Sequence, residues 1–176
     1  RENKPVFLSV GYSSCHWCHV MAHESFEDET TAKILNQNYI SVKVDREERP
    51  DIDSVYMAVC QAMNRSGGWP LTIIMTPEQQ PFFAATYLPR ESRGKTPGLL
   101  QILGQIADLW EREPQKLRQA GASVCQFLSA DNPGDPSGKN DSWPDKALFH
   151  RAAETFLRTF DKEYGGFGQA PKFPTP

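Results

Sequence analysis

The chain has 176 residues, 39% of them hydrophobic, and a formal net charge of −3. That length suits one soluble domain with its own core plus an appendage, and the slight acidity argues against nucleic-acid binding, which needs a basic face. No apolar run approaches the roughly 20 residues of a membrane span, and four cysteines are too few for a disulfide scaffold.

Residues 5–11, "PVFLSVG", are apolar and partly β-branched, the pattern of a buried strand. Ser13 and Ser14 offer N-cap oxygens just before Cys15, which predicts a helix beginning at the first cysteine. Ser25 followed by Asp28 resembles a capping box and predicts a second helix over roughly 26–37. "YISVKV", 39–44, reads as the next strand. From Asp51, the residues Ile52, Val55, Tyr56, Val59 and Met63 follow the helical period and predict an amphipathic helix, which "RSGG" breaks.

Trp69–Pro70 then leads into "LTIIMT", and a turn around 77–80 leads into "PFFAATYL", so the two runs form an antiparallel hairpin. Leu99, Leu100, Ile102, Leu103, Ile106, Leu109 and Trp110 mark one helix, and Pro114 starts another that carries Leu117, Ala120, Val124 and Leu128. "DNPGDPSGKNDSWP" reads as a linker, and "KALFHRAAETFLRTFD" as a further amphipathic helix before "KEYGGFGQAPKFPTP". Both chain ends read as cut, and this last helix as the first element of a second, truncated domain.

The order is β-α(α)-β-α-β-β-α. The first strands, separated by helices, are expected to be parallel with right-handed crossovers, and the last pair antiparallel. This is an α/β layout of the thioredoxin-like sandwich type, a mixed sheet flanked by helices.

"GYSSCHWCHVM", 11–21, admits a redox dithiol, a c-type haem attachment or a zinc cluster. A buried strand running into a helix at Cys15 places that sulfur on free backbone N–H groups and the positive end of the helix dipole. Both favour thiolate, so Cys15 reads as the nucleophile and Cys18, one turn further in and more shielded, as its partner. The alternative of two inert packing cysteines gives no reason for a strand-to-helix turn. Haem attachment needs Cys15, Cys18 and His19 but also a helical pocket, which an α/β pattern does not supply. Zinc has His19 and His23 on one helical face yet no second Cys-x-x-Cys. No metal and no cofactor are therefore assigned.

His16, inside the pair, is read as a group that lowers the Cys15 pKa, against the bland option of a solvent-facing side chain. Trp17 is expected to cover the apolar side of the disulfide, with a substrate contact as a further role. In thioredoxin-like folds a cis-proline precedes the third strand opposite the dithiol, and Pro70 holds that place, with Trp69 beside it as a lip for a bound peptide. "VDREERPD" leaves the carboxyl end of a strand parallel to the first, so Asp45, Arg46 and Glu47 are candidates to border the dithiol rather than plain surface. Cys60 and Cys125 read as buried spectators.

"KPVFLSVGYSSCHWCHVM", "VKVDREERPDID", "GGWPLTIIMTP", "TYLP" and "DKEYGGFGQAPKFP" together resemble the thioredoxin-like family catalogued as domain of unknown function 255. The resemblance runs from residue 3 to 176. It implies a thioredoxin-like domain over 1–130, a linker over 131–145, and over 146–176 the start of an α/α-toroid similar to N-acylglucosamine 2-epimerases and six-hairpin glycosidases. It also implies a further segment before the first strand. Cys15 and Cys18 fall on the family's dithiol and Pro70 on its cis-proline. Ordinary thioredoxins carry a buried aspartate six residues before the nucleophile; here that position is Ser9, so proton handling falls to another group, Asp45 or water.

The expected function is thiol–disulfide exchange on a protein or peptide partner, with redox sensing or docking of the toroid domain as the alternative. The compartment is left open, with the cytoplasm favoured.

Overall fold

Val6–Gly11 forms β1, and its four inner residues are buried because strands pair with it on both sides. Ile40–Asp45 forms β2, parallel to β1 with Val6 opposite Ile40 and Gly11 opposite Asp45. Leu71–Met75, β3, lies antiparallel along the other side with Leu71 opposite Val10. Pro81–Ala85, β4, completes a hairpin with β3, and as an edge strand it tolerates a proline that donates no ladder hydrogen bond. The computed structural model describes residues 2–94, 96–130 and 146–167. Among them the sheet order is β2-β1-β3-β4.

Alternation sorts the strand residues onto two faces. Phe7 and Ile74 join Met21, Leu35, Tyr39, Leu99, Ile102 and Leu103 on one face. Leu8, Val10, Leu71, Ile73 and Met75 join Val59, Cys60 and Ala84 on the other. The first face is covered by α2, Glu29–Asn38, and α4, Leu99–Arg112; the second by α3, Pro50–Asn64, and α5, Pro114–Ala130. A mixed sheet between two helical layers in this order is the thioredoxin-like fold.

β3 runs antiparallel to β1 even though a helix precedes it. The cause is the path of α3, which begins just after β2 and ends where Asn64 donates 2.9 Å to the Ala84 carbonyl, near the end of β4. Both ends of α3 thus lie at the carboxyl edge of β1, and the chain re-enters the sheet from that edge.

The helix α1, His16–Met21, continues through a π-helical turn, Ala22–Phe26, before α2. The predicted second helix over 26–37 is therefore shifted. The cap is Asp28, whose Oδ1 accepts from Thr31 N–H at 2.9 Å and from Thr31 Oγ1 at 3.0 Å. Ser25, read as the cap, is buried inside the π turn instead.

By its internal contacts the chain divides into Arg1–Pro133 and Gly134–Pro176. In the second unit α6, Lys146–Thr159, leads to a turn closed by Asp161 and Gly166. Gly165 and Gly166 both take a φ of 73°, which glycine adopts without penalty. The Phe156 and Phe160 rings meet Phe167 edge to face at 5.5 and 5.7 Å. The predicted linker, 131–145, and the stretch 168–176 lie outside the described residues. Among those described, no helix is long and apolar enough to cross a membrane.

Candidate functional site

β1 delivers the chain at Gly11 into a turn in which the Cys15 N–H donates to the Tyr12 carbonyl at 3.2 Å. Cys15 then adopts extended backbone angles, φ −77° and ψ 106°, and is itself the N-cap of α1. Its Sγ accepts from the Cys18 N–H at 3.2 Å, as a serine oxygen does in an ordinary cap. Ser13 and Ser14 do not cap the helix, which corrects the sequence expectation. Ser13 instead offers its carbonyl to His19 Nε2 at 2.7 Å.

Cys15 and Cys18 are joined as a disulfide with Cα atoms 5.2 Å apart. Their relative exposure reverses the expectation: Cys15 is only 4% exposed, while Cys18 is half-buried. Cys18 borders a cavity of about 390 Å³ along with Ser9, Lys43, Asp45, Glu48 and Pro70. Parallel pairing builds this cavity, because Ser9 sits opposite Lys43 and Gly11 opposite Asp45. Gly11 leaves the room that Cys18 occupies; a Cβ at Gly11 would stand 2.9 Å from Cys18 Sγ.

The Trp69–Pro70 peptide bond is cis. Trp69 is locked from two sides. Its Nε1–H donates to Asp53 Oδ1 at 2.7 Å, and the Arg46 guanidinium lies 3.9 Å from its ring centroid. Arg46 Nε in turn donates to Asp53 Oδ2 at 3.2 Å, and its backbone N–H donates to the Gly11 carbonyl at 2.9 Å. Tyr12 closes the group, with its ring edge-on to Trp69 at 5.9 Å.

Trp17 stands on a second aromatic arm. It is 54% exposed and packs on Tyr87 at 5.0 Å and on His16 at 5.6 Å. Tyr87 donates its hydroxyl to Glu24 at 2.5 Å, and Glu24 also pairs with Arg93. The hydrogen bond to the Glu24 carboxylate, helped by burial, raises the Tyr87 phenol above its ordinary pKa.

The carboxyl edge of the sheet thus brings together Cys15, Cys18, Pro70 and Asp45. Arg46 is turned onto Trp69, and His16 is exposed beside Trp17. Glu47 is exposed and reaches the edge only through its N–H, which donates 2.8 Å to Asp45 Oδ1. Cys60 is fully buried, but Cys125 is only half-buried, so the spectator reading of Cys125 as a core residue is corrected. Sequence reasoning missed Asp53, Tyr12, Tyr87 and Glu24. The signal for Asp53 was present: it neighbours Ile52 and precedes Tyr56 by three positions, so it falls beside the apolar stripe of α3.

Among the described residues no group of three or more His, Cys, Asp and Glu side chains is placed to hold a metal. His19 is engaged with Ser13, and His23 Nδ1 pairs with Glu27 at 2.8 Å.

The family described as "Protein of unknown function, DUF255" (Thioredox_DsbH) matches residues 1–129. An uncharacterized protein of Caenorhabditis elegans, B0495.5, is 44% identical over 173 residues, which are 98% of this chain and 23% of that protein. Spermatogenesis-associated protein 20 of Homo sapiens is 42% identical over 176 residues, all of this chain and 22% of that protein. The chain therefore spans less than a quarter of the length of these relatives. A solved structure titled "DsbH Oxidoreductase" is a distant likeness, with a TM-score of 0.40 and 12% identity over 63% of this chain and 75% of its own.

Proposed function

The chain belongs to the DUF255 family, and on that premise we propose that it carries a thiol–disulfide oxidoreductase module acting on a protein or peptide disulfide. The observation that carries the proposal is the Cys15–Cys18 disulfide at the start of a helix, with Cys15 Sγ accepting the Cys18 N–H. In the reduced pair that N–H and the helix dipole favour a thiolate at Cys15. His16, on the same turn, adds positive charge when protonated and makes the pair more oxidising.

Exchange runs in two displacements. The Cys15 thiolate attacks one sulfur of the substrate disulfide, forming a mixed disulfide and releasing the other substrate sulfur as a thiolate. Cys18 then gives up its proton and attacks Cys15 Sγ, which closes the Cys15–Cys18 bond and frees the second substrate thiolate. The substrate gains two electrons and the pair loses two. Asp45, on the cavity that Cys18 borders, is the carboxylate assigned to accept the Cys18 proton, since Ser9 has no acid to offer. Trp69 and Pro70 hold the substrate backbone on one side of the disulfide, and Trp17 flanks it on the other.

Trapping tests this reading. A Cys18→Ala variant should accumulate mixed disulfides with substrate and a Cys15→Ala variant should not. Disulfide reduction by both variants at the parent rate would refute it.

A second reading is supported by Ser9 and by the greater length of the relatives. In it, residues 1–130 form a redox-sensing or docking module, 131–145 a linker, and 146–176 the start of a C-terminal α/α-toroid that the dithiol regulates. Slow turnover by the chain, with redox-dependent activity of the longer protein, favours this reading over the first.

A further inference from the structure

Three loops meet at the carboxyl edge of the sheet: the turn before Cys15, the turn after β2, and the loop ending in Trp69–Pro70. One side chain ties two of them directly and the third through a shared partner. Asp53, on the first turn of α3, is only 5% exposed and uses both carboxylate oxygens. Oδ1 accepts from Trp69 Nε1 at 2.7 Å and Oδ2 accepts from Arg46 Nε at 3.2 Å. Arg46 spans the remaining distance, with its guanidinium 3.9 Å from the Trp69 centroid and 5.7 Å from that of Tyr12.

A buried carboxylate is costly unless it is paired and hydrogen-bonded. Here its partners are the indole of Trp69, which packs on the edge of the core directly before Pro70, and the guanidinium of Arg46 in the turn after β2. A guanidinium within about 6 Å of two aromatic faces adds cation–π attraction, strongest on tryptophan. The three groups therefore hold one another in a single arrangement. That arrangement fixes the indole directly preceding Pro70, and Pro70 borders the same cavity as Cys18.

We infer that Asp53 is a positioning residue for substrate peptides: its carboxylate fixes the Trp69–Pro70 lip, and so sets selectivity for peptide disulfides over small disulfides. The inference rests on the oxidoreductase reading above. A small disulfide needs only the sulfurs, whereas a peptide must also lay its backbone along the lip. The role is thus legible as a difference between two substrates.

The test uses the full chain, reduced, with two oxidants: a peptide closed by a single intramolecular disulfide, and cystamine. Asp53→Ala should lower the ratio of peptide to cystamine kcat/KM about tenfold, the loss appearing in the peptide KM. Asp53→Asn keeps an acceptor for the indole but turns an N–H toward Arg46 Nε, so it should recover part of that ratio. Trp69→Phe removes the indole donor and should lower the ratio as Asp53→Ala does, with little further loss in the double variant. A merely structural role predicts equal losses with both oxidants and an unchanged ratio, which would overturn the inference. Cystamine also separates the two levels of the argument. A parent chain that reduces neither oxidant overturns the oxidoreductase reading and this role with it. A parent that reduces both, with an unchanged ratio in Asp53→Ala, overturns the positioning role alone.

Discussion

Replacing Gly11 by alanine puts a methyl group against Cys18 Sγ, one of the two sulfurs that the disulfide holds in place. The added Cβ would lie 2.9 Å from Cys18 Sγ and 3.4 Å from Cys18 Cβ, where ordinary contact begins at 3.4 Å. In the disulfide Cys18 Sγ is tethered to Cys15 and cannot rotate away. In the dithiol it is free to move to another staggered χ1 well. The collision is therefore a cost to the oxidised form in particular, and overpacking of this kind costs about 1–3 kcal/mol. For a two-electron couple about 30 mV corresponds to 1.4 kcal/mol, so the potential of the Cys15/Cys18 pair should become about 20–65 mV more positive. The assay equilibrates parent and Gly11→Ala chains in graded glutathione buffers, quenches with acid, alkylates the free thiols and counts them by mass. An unchanged or more negative potential would refute the reasoning, because Cys18 Sγ would then not be confined beside Gly11.

Tyr39 is almost fully buried, its hydroxyl donates 2.6 Å to the Leu103 carbonyl, and burial drives its phenol far above the ordinary tyrosine pKa. Tyr39→Phe removes that bond between the end of α2 and α4 and should destabilise the chain by about 0.5–1.5 kcal/mol in urea denaturation. An unaltered midpoint would show that the bond contributes nothing. Hydrogen bonding to Arg49 holds the Asp51 carboxyl down to about 2, from 3.8. Because the folded value is the lower one, any stabilisation from this pair is present above the unfolded value and is lost as pH falls from about 4 to about 2. Carboxyl NMR should place the Asp51 midpoint near 2, and Arg49→Ala should move it up toward the ordinary aspartate range; no movement would contradict the pairing.

Much of the frame was legible in the sequence because periodicity reports burial directly. "LTIIMT" has no polar alternation, and β3 is buried at every position. "DIDSVYMAV" repeats at the helical period and forms α3, but of the stripe only Val59 is buried, beside Cys60, while Val55 and Met63 are exposed. What failed was finer. The helix expected over 26–37 is capped by Asp28 rather than Ser25 because a π-helical turn, Ala22–Phe26, prolongs the preceding helix, and no residue type marks such a turn. Cys15 took the cap that the serines were expected to supply, since its sulfur is an acceptor that capping preferences do not count. The relative enclosure of the two cysteines depends on which side of the turn the cavity opens, and that is set by the pairing of β1 with β2. The position of Asp53 beside the apolar stripe was legible, but its joint pairing with Arg46 and Trp69, seven and sixteen residues away, depends on how the loops meet at the sheet edge.

The most direct test of the account is the pH dependence of alkylation at each cysteine of the reduced chain, mapped by mass spectrometry after brief exposure to iodoacetamide. The account predicts that Cys15, although more enclosed than Cys18, titrates below the free-thiol value of about 8.5 and below Cys18, because its sulfur accepts the Cys18 N–H. Titration of Cys15 at or above that value, or of Cys18 below Cys15, would contradict it.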